Sequence, residues 1–316
     1  MNFSMLFSLI LAYGVLFING WTDAPNSIAT AVSTRAISFK RASALCACFN
    51  FLGVLIAYFI STSIAEFVFS LGKLDKYTSL GISVVFFTMI LFGIISWCFG
   101  LPSSESHAMI SGLAGASFAV CGDTEGIKKV GYVFVFMIFS CVLALILGYF
   151  SRLIFRWNLP YKKLQILSCS LTSFMHGWQG GLKFIGIIAF LLEIEISSTK
   201  APLLLMLSVA TVLSLGALLG GKRIISSMGE NIVKLRHISA FSSDIGTYLA
   251  LLICSLLGMP VSTGNIKCLA IMGVGLYENQ PVNKKTAIKL FVSFIAVFPI
   301  CFLISYLIMK LFLLKN

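Results

Sequence analysis

The segment GLPSS at residues 100–104 returns as GMPVS at residues 258–262, at an offset of 158 residues. A second segment, NGWTDAPN at residues 19–26, has its counterpart HGWQGGLK at residues 176–183, at an offset of 157 residues. Two unrelated motifs share nearly one offset, and that offset is half of the 316-residue chain. This coincidence indicates an internal duplication, so the sequence predicts two repeats that divide near the middle.

The composition excludes a soluble enzyme and a disordered chain. Hydrophobic residues make up 59% of the sequence and charged residues 11%, and the mean hydropathy is +1.00. Soluble domains have roughly 45–50% apolar and about 25% charged residues. The net charge of +12 is interpreted as Lys and Arg in cytoplasmic loops, not as a nucleic-acid surface. The nine cysteines show no metal-ligand spacing and are interpreted as packing residues.

Ten apolar runs favour membrane-spanning helices, because barrel strands would alternate over ~10 residues instead. Two runs, residues 107–121 and 266–277, are short for a straight span and follow the Gly-x-Pro turns. We expect them to be re-entrant or discontinuous helices. The N-terminal run lacks a basic leader, so we expect it to be the first span. The remaining runs lie near residues 3–19, 42–70, 79–99, 130–155, 165–192, 201–220, 240–257 and 288–313.

Five runs in each half predict inverted topology, because an odd number of crossings makes the second repeat enter from the opposite side. The expected fold is an all-α polytopic membrane protein with two inverted-topology repeats, residues 1–158 and 159–316. Broken or re-entrant helices are expected at its centre, as is typical of secondary transporters. With the N-terminus outside, inner loops carry fourteen Lys and Arg against seven in outer loops. This bias predicts a multi-pass cell-membrane protein with both termini outside. The alternative is an old duplication kept for packing.

The first motif of each half is expected to interrupt an apolar helix. Asp23 and Asn26 are three residues apart, and three residues bring two side chains to one helical face. With Thr22 and exposed carbonyl groups they form a set of hard oxygen ligands suited to Na⁺ or a proton. A carboxylate at the bilayer centre costs ~2.5–3.5 kcal/mol or more, so it persists where it meets a cation, a proton or water. The alternative is a loop aspartate at the outer end of a span.

The second motif of each half is predicted to bind an anion. Hydroxyl groups and unpaired backbone N–H groups gather where a helix begins just after the proline, and such helix starts attract anions. Two of these facing each other could enclose one tetrahedral oxyanion. Ser/Thr helix capping is a compatible alternative. The predicted residues are Ser103, Ser104, Ser106 and His107 in the first half and Ser262, Thr263 and Asn265 in the second.

Lys183 and Lys267 are expected just past breaks in the second half. A lysine at membrane depth needs a partner, which a bound anion would supply; the alternative is that each side chain snorkels to an interface. His107 and His176 could relay protons or orient hydroxyl groups, or simply form hydrogen-bonded helix contacts.

Four stretches resemble the inorganic phosphate transporter (PiT) family. They are residues 17–26 with 33–36, residues 101–108, residues 176–183 and residues 258–263, with support from 49–53 and 270–275. The resemblance implies an inverted-repeat carrier that brings in phosphate with Na⁺ or H⁺, and some family members carry sulfate. The residues that match the family pattern are Asp23, Asn26, Ser104, His107, Gln179, Ser262 and Thr263. Gln179 is therefore also expected to bind the anion.

Four positions depart from the family pattern. Gly180 stands where an acidic residue is usual, Gly264 and Asn265 replace a Thr-His pair, and Pro25 replaces a small residue. The pseudo-symmetric pair of acidic residues is therefore half missing. The number and identity of the coupling ions stay open at this point.

The leading hypothesis is a cation-coupled symporter for inorganic phosphate or a similar tetrahedral oxyanion. Bringing a dianion in against ~100 mV costs roughly 2 × 2.3 kcal/mol, which cotransported Na⁺ or H⁺ can offset. The alternatives are a sulfate permease of the same family and an uncoupled anion channel, which the missing acid at Gly180 would suit. A hydrolase using Ser104 and His107 lacks an evident acidic partner, so no catalytic site is expected. Beyond the coupling ion no cofactor is expected, and the expected partners are membrane lipid and a second copy in a homodimer.

Overall fold

The computed structural model describes residues 3–71, 73–74, 77–98, 104–157, 159–194, 203–221, 225, 234–281 and 284–315. Within those ranges the side chains at 97–98 and 284–286 are not described. The α-helices of the described residues are α1 (Phe3–Thr22), α2 (Pro25–Ser33), α3 (Phe39–Ile60), α4 (Ser63–Phe69), α5 (Thr78–Cys98), α6 (Glu105–Cys121), α7 (Thr124–Ile154), α8 (Tyr161–Leu191), α9 (Leu203–Leu219), α10 (His237–Leu256), α11 (Thr263–Tyr277) and α12 (Lys284–Lys315).

The chain is a multi-pass helical membrane protein. Six helical segments of the described chain are long and apolar enough to cross a bilayer, and Leu203–Leu219 is a shorter apolar helix. This confirms the expected all-α polytopic class, whereas ten crossings stay a prediction. The six segments are Phe3–Ser33, Phe39–Ile60, Thr78–Ser96, Thr124–Ile154, His237–Leu256 and Ala287–Lys315.

The helices of the two halves begin and end at corresponding places. Glu105 begins α6 and Thr263 begins α11, which is an offset of 158 residues, and α1 and α8 begin with the same offset. Packing repeats as well. Helix α3 packs against α8, and its counterpart α9 packs against α1. Likewise, α6 packs against α12, and its counterpart α11 packs against α7. The motif offset therefore extends to the helix bounds and to their contacts.

Glycines let the paired helices come into backbone contact at corresponding positions. A Cβ atom added to Gly20 of α1 would lie 2.1 Å from the carbonyl oxygen of Leu213 on α9. A Cβ atom at Gly177 of α8 would lie 2.2 Å from the carbonyl oxygen of Asn50 on α3. Such distances exclude any side chain, so both positions require glycine.

The first break is where the sequence predicts it, but its counterpart is absent. The chain turns at Asp23 and Ala24 between α1 and α2, where Pro25 provides no backbone N–H for a continuous helix. Helix α8 runs without interruption from Tyr161 to Leu191. The expected break at residues 176–183 is therefore wrong, since that segment has three glycines but no proline, and glycine alone does not interrupt a packed helix.

The apolar run at residues 42–70 is also corrected, because it divides into α3 and α4 at Ser61 and Thr62. The turn before α11 is as predicted. Gly258 has φ +70°, a left-handed conformation that favours glycine after a helix end, and Pro260 follows it. The corresponding turn at residues 99–103 lies outside the described residues.

The ends of α6 and α11 lie beside opposite ends of α7. Helix α6 ends where α7 begins, and the Asp123 side chain between them accepts hydrogen bonds from the backbone N–H groups of Glu125 and Gly126, at 3.2 Å each. Helix α11 ends beside the other end of α7, where Arg152 Nε donates to Glu278 Oε1 at 2.6 Å. The 31 residues of α7 are about 46 Å long, which exceeds the ~30 Å of bilayer hydrocarbon.

Candidate functional site

Asp23 lies at the turn between α1 and α2 and is 7% exposed. Asn19 Nδ2 donates a hydrogen bond to Asp23 Oδ2 at 3.3 Å. Asn26 is buried on the first turn of α2, and its side-chain oxygen has no partner among the described residues. The backbone N–H of Asn26 donates to the Asp23 carbonyl oxygen at 3.0 Å, so a single turn connects the two residues. That their side chains share one helical face stays a prediction. Both remain buried at the break.

A second buried carboxylate lies next to this break. Thr22 Oγ1 is 2.9 Å from Glu105 Oε1 and donates to it or to the Ile18 carbonyl group. Glu105 is the first residue of α6 and is 5% exposed. Sequence reasoning did not choose Glu105 as a site residue, although an acidic residue at the start of an apolar helix beside Ser104 was a usable signal.

The start of α6 carries three of the predicted anion-binding residues. Ser104 Oγ and His107 Nδ1 form a hydrogen bond of 2.8 Å, and which atom donates depends on the histidine tautomer. His107 Nε2 has no partner among the described residues, and the ring lies 4.9 Å from the Phe298 ring, centroid to centroid. Ser106 faces the second half. Ser103 lies outside the described residues.

Lys183 joins the two predicted anion-binding segments. Its ammonium group donates to Ser106 Oγ at 2.7 Å and to the Val261 carbonyl oxygen at 2.5 Å. It is 3% exposed and lies inside the continuous helix α8, not just past a break as expected. Its ammonium group is held by protein atoms from both halves, so it does not snorkel to an interface.

The start of α11 is held by its own side chains and by α8. Ser262 Oγ accepts from the backbone N–H of Asn265 at 3.4 Å and lies 3.2 Å from Asn265 Oδ1. Thr263 is 7% exposed. Gln179 Nε2 donates to Ser255 Oγ at 2.8 Å, while Gln179 Oε1 accepts from the Val261 N–H at 3.2 Å. The predicted residue Gln179 therefore holds the segment that carries Ser262.

Unpaired polar atoms concentrate around this region. Ten buried side-chain nitrogen or oxygen atoms of the described residues lack a hydrogen-bond partner, and half of them belong to one group. Buried polar groups normally have partners, so such a concentration indicates where ions, water or a ligand bind. The five atoms are Asn19 Oδ1, Asn26 Oδ1, Glu105 Oε2, His107 Nε2 and Asn265 Nδ2.

The sequence profile of the Phosphate transporter family matches residues 19–162 and 156–305. These two matches contain most of the chain and all the described site residues. The chain belongs to the phosphate transporter family. It is thus a membrane transporter and not an enzyme, and the resemblance seen in its four motifs is confirmed.

Two curated relatives are similar over nearly the full length. A protein of Bacillus subtilis (strain 168) is 30% identical over 312 residues, which is 92% of each chain. A protein of Rhizobium meliloti (strain 1021) is 34% identical over 308 residues, 92% of this chain and 91% of the relative. Each is named a probable low-affinity inorganic phosphate transporter.

A solved structure has the same fold. It is titled "The sodium-dependent phosphate transporter", it superimposes with a TM-score of 0.85, and the match covers 100% of both chains. Its sequence is 19% identical, so the likeness establishes the fold of this phosphate transporter family member.

The transporter also contains a buried ion pair that the sequence did not predict. Lys267 on α11 donates to Asp244 Oδ1 on α10, and both residues are at most 1% exposed. Thr30 Oγ1 donates to the same carboxylate oxygen at 2.6 Å, and Ser168 Oγ donates to Asp244 Oδ2 at 2.9 Å. The expectation that Lys267 pairs with a bound anion or snorkels to an interface is wrong, since its partner is the Asp244 side chain.

His176 forms a helix contact in this transporter. Its Nδ1 is 2.5 Å from Asn50 Oδ1, and Asn50 Nδ2 donates to the Cys46 carbonyl group at 2.8 Å. The pair joins α8 to α3 beside the glycine contact at Gly177. Of the two functions predicted for His176, the hydrogen-bonded helix contact is the one that the geometry supports.

Proposed function

We propose that this transporter takes up inorganic phosphate together with a coupling cation, and that this cation is Na⁺. The observation that carries the proposal is Lys183, whose ammonium group bridges Ser106 of the first half and Val261 of the second. A buried cation that joins two helix starts provides a place where an anion can meet donors from both halves.

The anion would bind between the starts of α6 and α11. Each start supplies unpaired backbone N–H groups and the positive end of a helix dipole. Lys183 supplies the charge, and Gln179 positions the segment before α11. The side chains proposed to contact the anion are Ser103, Ser104, Ser106, His107, Lys183, Ser262, Thr263 and Asn265.

The cation would bind at the break between α1 and α2. Asp23, Asn26 and Thr22 offer oxygen atoms there, and the oxygen of the Asn26 side chain is free to accept a ligand. Hard oxygen ligands suit Na⁺. The solved transporter with the same fold is titled as sodium-dependent, which supports Na⁺ over H⁺ here. Coupling to an inward cation gradient would offset the cost of moving a dianion against the membrane potential.

Inverted repeats, residues 1–158 and 159–316, would make this mechanism symmetric. If α7 spans the bilayer, the equivalent helices α6 and α11 end on opposite faces, because Asp123 and Glu278 lie at opposite ends of α7. The Glu278 end is rich in basic residues, including Arg152 and Arg236, which supports a cytoplasmic location for it and an outer location for both termini.

Radiolabelled phosphate uptake into liposomes that contain the purified protein tests this function. An imposed inward Na⁺ gradient is expected to drive saturable accumulation, and excess unlabelled phosphate is expected to suppress it. Accumulation driven by a pH gradient alone would assign H⁺ coupling. Stronger competition by sulfate than by phosphate would favour a sulfate permease. Flux that neither saturates nor responds to a cation gradient would favour an anion channel and contradict the proposal.

A further inference from the structure

We propose that Glu105 forms, with Asn19, a second monovalent-cation position beside Asp23. This inference rests on the proposed cation-coupled transport and extends it from one carboxylate to two. The class of ligand is a monovalent cation, Na⁺ or a proton, because either one satisfies the same pair of unpaired oxygen atoms.

The chemistry of the unpaired atoms carries the inference. Glu105 Oε2 and Asn19 Oδ1 are buried and have no hydrogen-bond partner in the described part of the chain. An amide oxygen and an ionised carboxylate oxygen accept hydrogen bonds and cannot donate them. The two oxygen atoms therefore cannot form a hydrogen bond with each other. A metal cation between them, or a proton on Glu105 that is donated to Asn19, would give both oxygens a partner.

The positions of neighbouring groups support the same assignment. Asn19 Nδ2 donates to Asp23, and Thr22 Oγ1 lies 2.9 Å from the other oxygen of Glu105, so two neighbouring side chains of α1 each contact one of the two carboxylates. Because Thr22 directly precedes Asp23, its contact with Glu105 brings the two carboxylates near each other, and nearby anions repel. With Lys183 as the neighbouring cation, the three ionised groups carry a net charge of −1. One additional monovalent cation makes this buried group neutral.

The repeat shows where a compensating carboxylate fits. Asp23 corresponds to Gly180 through the motif offset, so the second half has no carboxylate at this place. A Cβ atom added to Gly180 would lie 3.3 Å from Asn19 Oδ1 and 3.9 Å from His176 Cε1. Position 180 therefore lies next to the unpaired oxygen of Asn19, whose side chain also contacts Glu105. Glu105 supplies from α6 the charge that position 180 does not supply from α8.

The test measures cation binding apart from transport. Purified full-length protein is melted in detergent without phosphate, across a Na⁺ series in which choline keeps ionic strength constant, and across pH at fixed Na⁺. We expect Glu105→Gln to raise the apparent dissociation constant for the stabilising cation by at least ~10-fold. Glu105→Gln combined with Gly180→Asp should restore at least half of the lost stabilisation. Glu125→Gln, which removes an exposed carboxylate paired with Lys128, is the matched control and should bind like the wild type.

The same variants in liposomes distinguish the two cations. If the position holds Na⁺, Glu105→Gln lowers the Hill slope of uptake against Na⁺, and Gly180→Asp in that background raises it again. If it holds a proton, Glu105→Gln instead flattens the pH dependence of uptake and leaves the Na⁺ slope unchanged. Either result supports the second position. A Glu105→Gln protein that keeps both the wild-type Na⁺ and pH dependences overturns it.

If Glu105→Gln does not fold, Glu105→Asp provides the test, because it keeps the charge but moves the carboxylate away from Asn19. Weaker cation stabilisation of a folded Glu105→Asp protein supports the position, and wild-type stabilisation overturns it. The failure of the proposed function looks different. In that case the wild-type protein itself shows no cation-driven uptake, whereas failure of this inference alone leaves the wild-type protein coupled and Glu105→Gln indistinguishable from it.

Discussion

At the residue scale, the proposed binding sites depend on charged side chains that are buried inside the helical bundle. Asp23 and Lys183 could be chosen from the sequence because each is a polar residue in an apolar context, and that signal is local. The contact between Glu105 and the break could not be predicted from such a local signal. Its neighbour Thr22 is 83 residues away in the sequence, and only the folded chain places α6 against the break between α1 and α2.

We expect Asp23→Asn to abolish gradient-driven phosphate accumulation while the protein still folds. The amide keeps the size of the side chain and one oxygen that can accept from Asn19, but it removes the negative charge that would attract the coupling cation. Accumulation in liposomes is measured beside a melting curve in detergent. The matched control is Asp123→Asn, which changes an aspartate at the cap of α7. Normal accumulation by folded Asp23→Asn would show that coupling depends on other residues.

Ser104→Ala and Ser262→Ala should each weaken phosphate binding by ~10–150-fold, since a hydrogen bond to a charged group contributes ~1.5–3 kcal/mol. The two serines occupy corresponding positions before α6 and α11. Competition binding at saturating Na⁺ measures the loss. Ser293→Ala is the control, because that buried hydroxyl donates to a carbonyl group of its own helix. Wild-type affinity in both site variants would contradict anion binding between the two helix starts.

At the element scale, close contacts between helices constrain the sequence more tightly than hydrophobicity does. Gly20→Ala should destabilise the protein by ~1–3 kcal/mol or more, because the new Cβ atom meets the backbone of α9 at 2.1 Å. Gly14→Ala in the same helix meets nothing within 4 Å and should be neutral or slightly stabilising. Melting temperatures of the two variants provide the comparison. Equal stability of both variants would mean that α1 and α9 are not in backbone contact.

The buried pair of Lys267 and Asp244 predicts strong non-additivity. Lys267→Met alone leaves the Asp244 charge without its cation, and Asp244→Asn alone leaves the ammonium group without its anion. Each single change should cost ~3–5 kcal/mol, whereas the double variant should regain most of the loss because no buried charge remains unpaired. Melting curves of the four proteins form the cycle. Additive losses would show that the two groups do not interact.

The helix break was predictable in one half and mispredicted in the other for a physical reason. In the first half, Pro25 removes a backbone donor, so the sequence itself interrupts the helix. In the second half, Gly177 and Gly181 pack closely against α3, and α8 stays continuous. That stabilisation depends on packing between distant segments, which no local pattern contains.

At the scale of the whole molecule, the duplication was the most informative feature of the sequence. The offset between motifs anticipated the correspondence of α6 with α11 and of α1 with the start of α8. It did not anticipate the differences between halves. Asp244 and Lys267 correspond to Phe86 and Met109 through the offset of 158, so the buried charged pair of the second half has apolar residues at the equivalent positions of the first half.

The relation of the two halves to the membrane gives the last prediction. Cys121 is exposed at the end of α6, and Pro281 is exposed just after the end of α11. These ends lie near opposite ends of α7, which at about 46 Å is long enough to cross the bilayer. Inverted repeats therefore require the two sites to lie on opposite membrane faces. The basic residues near Glu278 predict that residue 281 is cytoplasmic and Cys121 is outside.

Single-cysteine variants measure this arrangement directly. One variant keeps Cys121 alone, and the other carries Pro281→Cys in a background without native cysteines. In intact cells, a membrane-impermeant maleimide should label the Cys121 variant and leave the Pro281→Cys variant unlabelled, while permeabilised cells should allow both to react. The opposite pattern would reverse the orientation and keep the inversion. Labelling of both variants in intact cells would place α6 and α11 in parallel, and the inverted-repeat architecture would then be wrong.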